Sequence, residues 1–149
     1  MEGLQGVLEG LLQPTHFIFI FVYVLLFHLA LSVVVILLVY TDFQRVPSAF
    51  RKLEPSLVWL LLIPCFNLVW NFYVFPGLAD SFKAYFNSVG DSSVGNCGRD
   101  LGLGYAVCSA ASVVPVVGCL TGAATLALLI LFLVKANELK NRIPITAAD

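Results

Sequence analysis

The sequence predicts an all-α integral membrane bundle of four transmembrane helices, with three as the alternative, plus an N-terminal interfacial amphipathic helix. Three observations predict it. The chain of 149 residues is 60% hydrophobic and only 11% charged, against about 45–50% and about 25% for an ordinary soluble domain. The run Ser56–Pro76 holds 21 residues without a charge, close to the roughly 20 that cross a bilayer as a helix. A second uncharged run, Leu101–Val134, extends over 34 residues. Length allows one membrane domain, 1–149.

Residues 1–13 read as the interfacial helix. Leu4, Val7, Leu8, Leu11 and Leu12 follow helical spacing, while Glu2, Gln5, Glu9 and Gln13 lie elsewhere. Acidic residues where a basic segment belongs argue against a cleavable signal, and no lipidation pattern is visible. Residues 16–40 form the first span, TM1, with aromatic residues Phe17, Phe19, Phe21 and Tyr23 near its outer edge. His28 falls near its midpoint, where an ionisable side chain is costly and raises a functional question. Residues 41–55 form a polar connector in which Arg45, Arg51 and Lys52 can anchor lipid headgroups.

TM2 is expected over 56–76, kinked at Pro64, with Asn67 and Asn71 one turn apart at membrane depth. An amphipathic extension, 77–87, carries Leu78, Phe82 and Phe86 on one stripe and an Asp80–Lys83 pair, and is expected to lie in the interface. Turn-forming residues fill 87–98. As one straight helix Leu101–Val134 would measure about 51 Å, against a hydrocarbon core of about 30 Å. Pro115 and Gly118 interrupt it, so a hairpin follows: TM3 at 99–112 and TM4 at 119–141.

Small residues mark the packing faces of this hairpin: Gly102 with Ala106, Gly104 with Cys108, and Gly118 with Gly122. Helices in lipid associate by close backbone approach, which such residues permit within one subunit or between subunits. Glu138 is placed to pair with Lys135 and Arg142. With four crossings both ends are cytoplasmic, five basic residues facing three across the bilayer; with three crossings the N-terminus faces outward. The C-terminus is cytoplasmic either way.

Residues 53–76 and 98–143 resemble a family of small multi-pass bacterial membrane proteins of no assigned activity. The likeness is carried by Leu53-Glu-Pro55 before Trp59-Leu-Leu-Leu-Ile-Pro64, by Phe66-Asn67 and Trp70, by Gly98-Arg-Asp-Leu-Gly102, and by Val-Pro-Val-Val-Gly118 before a Val134-Lys135 exit. It implies the hairpin of the last two helices and a bacterial inner membrane location. It implies no chemistry.

Composition and motifs narrow the function. Net charge is −1 and the basic residues are dispersed, so no nucleic-acid footprint exists. Cys65, Cys97, Cys108 and Cys119 form no C-x-x-C pair, and neither a metal site nor another cofactor is expected. No nucleophile–base pair, H-E-x-x-H helix or carboxylate pair points to an enzyme. The expected role is a non-catalytic accessory protein in the lipid bilayer, self-associating as a homo-oligomer or bound within a larger membrane complex. The alternative is a homo-oligomeric channel or transporter with a polar pathway near His28, Asn67 and Asn71.

Overall fold

The computed structural model describes residues 14–63 and 65–144, and the expected interfacial helix at 1–13 and the kink at Pro64 lie outside the described residues. Among the described residues the fold is all-α, without strands. They form four α-helices, with two 3₁₀ segments between the first and the second: α1 (Pro14–Arg45), 3₁₀ turns at Ser48–Phe50 and Pro55–Leu62, α2 (Phe66–Ser88), α3 (Arg99–Ala111) and α4 (Pro115–Arg142). The chain divides into two units, one ending at Val34 and the other starting at Val35.

The first unit is a single helical stretch. Every residue from Thr15 through Leu31 is exposed, although nearly all are apolar. A helix that is hydrophobic on all sides belongs in lipid or inside a larger assembly. Thr15–Arg45 and Thr121–Arg142 are the two described helices long and apolar enough to cross a membrane.

The expectation of TM2 as one helix over 56–76 is corrected by what fills that stretch. That stretch is a 3₁₀ segment, a chain reversal and the start of α2, not one helix. Pro64 explains the break from sequence alone, since a proline disfavours helical backbone in the residue before it. Ile63 is accordingly extended (φ −79°, ψ 113°), and Cys65 has a φ of 65°. The 3₁₀ segment lies against the helix that follows: Trp70 Nε1 donates to the Leu57 carbonyl at 2.9 Å, and the Lys52 N–H donates to Ser81 Oγ at 2.9 Å. TM3 is also short of a crossing, because α3 has 13 residues, about 20 Å of helix.

α2 runs unbroken through Pro76 to Ser88. The 77–87 extension is therefore continuous with α2, and its stripe of Leu78, Phe82 and Phe86 is buried in the core. That apolar stripe packs within the chain's own buried cluster. α4 starts at Pro115 rather than 119, with the proline in its first turn. There the missing N–H costs nothing, so Pro115 opens a helix and does not kink one. Pro115 and Gly118 thus close the expected hairpin. A Cβ on Gly118 would come within 2.7 Å of the Ser112 carbonyl oxygen, a backbone atom that cannot easily yield.

In the second unit one buried cluster joins Ile36, Val39 and Phe43 of α1 to Val74, Phe75, Leu78 and Phe82 of α2 and to Phe132, Ala136 and Leu139 of α4. At its centre the Phe75 ring meets Tyr105 edge-on at 4.6 Å and Phe132 at 5.2 Å. Gly102 permits this convergence, since a Cβ there would lie 3.1 Å from both Phe132 Cε2 and Phe75 Cβ. α3 is thereby drawn against α2 and α4 together.

Candidate functional site: the basic end of the second unit

Polar contacts gather the charged residues of the second unit at one end. Lys140 Nζ pairs with Asp42 Oδ1 at 2.9 Å, joining the C-terminal ends of α1 and α4. Arg99 at the start of α3 pairs with Asp80 in the second half of α2 at 3.1 Å. The start of α3 also touches α4, where the Gly98 position faces Lys135 Cγ. The start of α2 and the turn at 112–114 lie at the other end, as the Asn71–Ser109 and Trp70–Leu57 contacts require. All eight Lys and Arg residues of the chain thus belong to the basic end: Arg45, Arg51, Lys52, Lys83, Arg99, Lys135, Lys140 and Arg142.

Each contact has a local cause. α1 ends with unpaired carbonyls, and Arg51 supplies their donors: Nε to Val46 O at 2.7 Å and Nη2 to Gln44 O at 2.9 Å. A cation at a helix C-terminus is also favoured by the helix dipole. Lys135 and Arg142 hold Glu138 at 2.9 and 2.7 Å, as the spacing predicts. Asp80 pairs with Arg99 instead of Lys83, because folding brings α3 to the face that i+3 spacing alone would assign to Lys83. In the 87–98 loop, Ser93 donates from both its hydroxyl and its backbone N–H to Asp91, holding that carboxyl below the usual range. Burial pushes the Cys97 thiol up, which makes it a poor nucleophile.

The expected site residues fall in different units. His28 belongs to the first unit, where its carbonyl accepts the Ser32 hydroxyl at 2.9 Å. Asn67 and Asn71 belong to the second unit; Asn67 is half-buried, and Asn71 is 1% exposed with Nδ2 3.4 Å from Ser109 Oγ. The Asn71 amide is a strut between α2 and α3. Gly102 and Ala106 are buried and Gly104 faces Leu128, so this stripe serves contacts within the chain. Cys108 is half-buried, and its carbonyl accepts the Ser112 hydroxyl. Gly122 is different: a Cβ there would meet nothing within 4 Å.

Of the three basic residues expected to anchor headgroups, Arg51 is committed to capping α1 and Lys52 is exposed. Arg45 makes no ion pair among the described residues, and its Nε is enclosed without a hydrogen-bond partner. It lines a cleft with Thr41, Gln44 and Lys140. Sequence reasoning missed Asp42 and Lys140. A signal was present, since an acidic residue at the end of an apolar helix needs a cationic partner from elsewhere.

Among the described residues, no group of three or more His, Cys, Asp or Glu side chains is placed to hold a metal ion. Comparison with family models, curated proteins and solved structures returned no match to this chain.

Proposed function

We propose that the chain is a non-catalytic integral membrane protein whose α4 packs against a transmembrane helix of a second copy or of a larger membrane partner. The carrying observation is the outer face of α4. Gly122 has open space where its Cβ would be, and Ala123, Ala124 and Ala127 beside it are exposed. Helices in lipid meet through small residues of this kind, because apolar side chains gain little by leaving lipid for one another. The small residues of α3, by contrast, are occupied inside the chain.

A photo-crosslinker at Ala123, activated in the native membrane, is expected to capture a protein. Gly122→Leu, whose side chain enters open space, is expected to abolish that adduct without unfolding the chain. Adducts to lipid alone in the unsubstituted chain would overturn the reading.

The same proposal extends to a membrane side. Eight basic residues at one end of the second unit favour a cytoplasmic side for that end, by the bias of short loops toward Lys and Arg. The 41–55 connector and the 87–98 loop then share a face, whereas four crossings would put them on opposite faces. Ser48 and Ser92 are both exposed. Cysteines introduced there singly, in a background freed of reactive native thiols, are expected to be shielded together from an impermeant maleimide in intact cells. Labelling of one and not the other would restore the four-crossing arrangement.

A further inference from the structure

We infer that the cleft between the C-terminal ends of α1 and α4 binds a phosphate group, and that Arg45 is its principal ligand. The cleft has a volume of about 180 Å³ and is lined by Thr41, Gln44, Arg45 and Lys140, room for several molecules the size of water at about 30 Å³ each. Two of its four lining side chains are cations. One carboxylate, Asp42, faces them, and it is bonded to Lys140 at 2.9 Å. The Lys140 ammonium donates a second bond to Thr41 Oγ1 at 3.2 Å, which leaves one of its three donors.

Arg45 is the less expected of the two. A long basic side chain at a helix end ordinarily extends its charged head into water. Here the guanidinium Nε is enclosed, unpartnered, and free of any ion pair among the described residues. The task of capping α1 is already met by Arg51, bonded to Gln44 O and Val46 O. Arg45 is therefore a spare guanidinium held beside a cleft of net positive charge. Its planar fork matches phosphate oxygens in a bidentate manner, which a lysine cannot reproduce.

The phosphate has two possible sources. A free inorganic anion is one, and an anionic lipid headgroup is the other. The second rests on the reading of α1 and α4 as membrane-spanning, which sets the cleft at the end of both apolar helices, at headgroup depth.

The full chain in nanodiscs of phosphatidylcholine with phosphatidylglycerol tests this, with retained lipid read by native mass spectrometry and inorganic phosphate titrated separately in detergent. The unsubstituted chain is expected to retain phosphatidylglycerol about tenfold more strongly than phosphatidylcholine, and Arg45→Gln to erase the preference. Arg45→Lys, which keeps the charge and loses the fork, is expected to fall between them. Binding of inorganic phosphate through Arg45 without a lipid preference supports the site and assigns its source to the free anion. Equal lipid retention by the unsubstituted chain and Arg45→Gln, with no phosphate binding that depends on Arg45, overturns the inference. Alkaline carbonate extraction of native membranes separates the two readings. A chain washed off the membrane that still binds phosphate through Arg45 keeps the site and loses the membrane assignment; a chain that stays and shows no dependence on Arg45 does the reverse.

Discussion

Lys140→Met is expected to destabilise the detergent-solubilised chain by about 3 kcal/mol, because it strands Asp42 as an unpaired buried carboxylate. Asp42 is 3% exposed, and its Oδ1 accepts from Lys140 Nζ at 2.9 Å. Removing the cation leaves the carboxylate with its desolvation cost and without its compensation. The reverse change is expected to cost less. In Asp42→Asn the lysine keeps its charge near the rim and can extend toward water on a flexible stem. The double substitution Asp42→Leu with Lys140→Met is expected to recover most of the loss, since replacing both members of a buried pair by apolar groups of similar volume is often close to neutral. Thermal and denaturant unfolding of the unsubstituted chain, Lys140→Met, Asp42→Leu and the double substitution forms a double-mutant cycle. A loss below about 1 kcal/mol for Lys140→Met, the scale of an exposed pair, would show that water reaches Asp42.

That pair also shows where sequence reading stops. Asp42 and Lys140 are separated by 98 positions, and their attraction leaves no trace in local spacing. Four crossings put them on opposite faces of the membrane, so that expectation conceals the contact. The apolar content of the run 56–76 was legible, but its continuity was not. Hydropathy measures the surroundings a segment tolerates and says nothing of whether its backbone turns back, as it does between Ile63 and Phe66. The C-terminal limit of the first helix was set too early for a related reason. Charges at 42 and 45 suggested a connector, yet Ile36, Val39, Phe43 and Val46 keep a helical spacing and are all buried. What was legible depended on backbone chemistry within a few residues. Pro115 and Gly118 marked the closing hairpin because a missing N–H and a missing Cβ act locally. The roles of Gly102 and Gly122 were not separable, since both are small residues in apolar helices. Only the packed chain shows Phe75 and Phe132 against the first and open space against the second.

Phe132→Ala is expected to destabilise the chain by about 3 kcal/mol, the low end of the range for such truncations in protein cores. The low end applies because in a bilayer or micelle the ring's alternative surroundings are also apolar. Little transfer energy is then lost, and the cost is the dispersion contact that the emptied space no longer provides. Phe132 is 1% exposed and stands edge-on to Phe75 at 5.2 Å, so the space left would lie at the junction of α2, α3 and α4. Gly102 supplies the diagnostic partner. In the unsubstituted chain Gly102→Ala gains about 1 kcal/mol of helix propensity but forces a methyl to 3.1 Å from both Phe132 Cε2 and Phe75 Cβ. Overpacking of this kind costs about 1–3 kcal/mol, so the net effect is a mild loss. With Phe132 truncated, one of the three close contacts disappears, those to Phe75 Cβ and to the Phe75 carbonyl carbon at 3.2 Å remain, and the propensity gain is unchanged. Gly102→Ala is then expected to cost less in the Phe132→Ala protein than in the unsubstituted chain, a difference measurable in the same unfolding experiments. An equal effect of Gly102→Ala in both backgrounds would mean that α3 and α4 do not meet at this point, and the central packing described above would have to be abandoned.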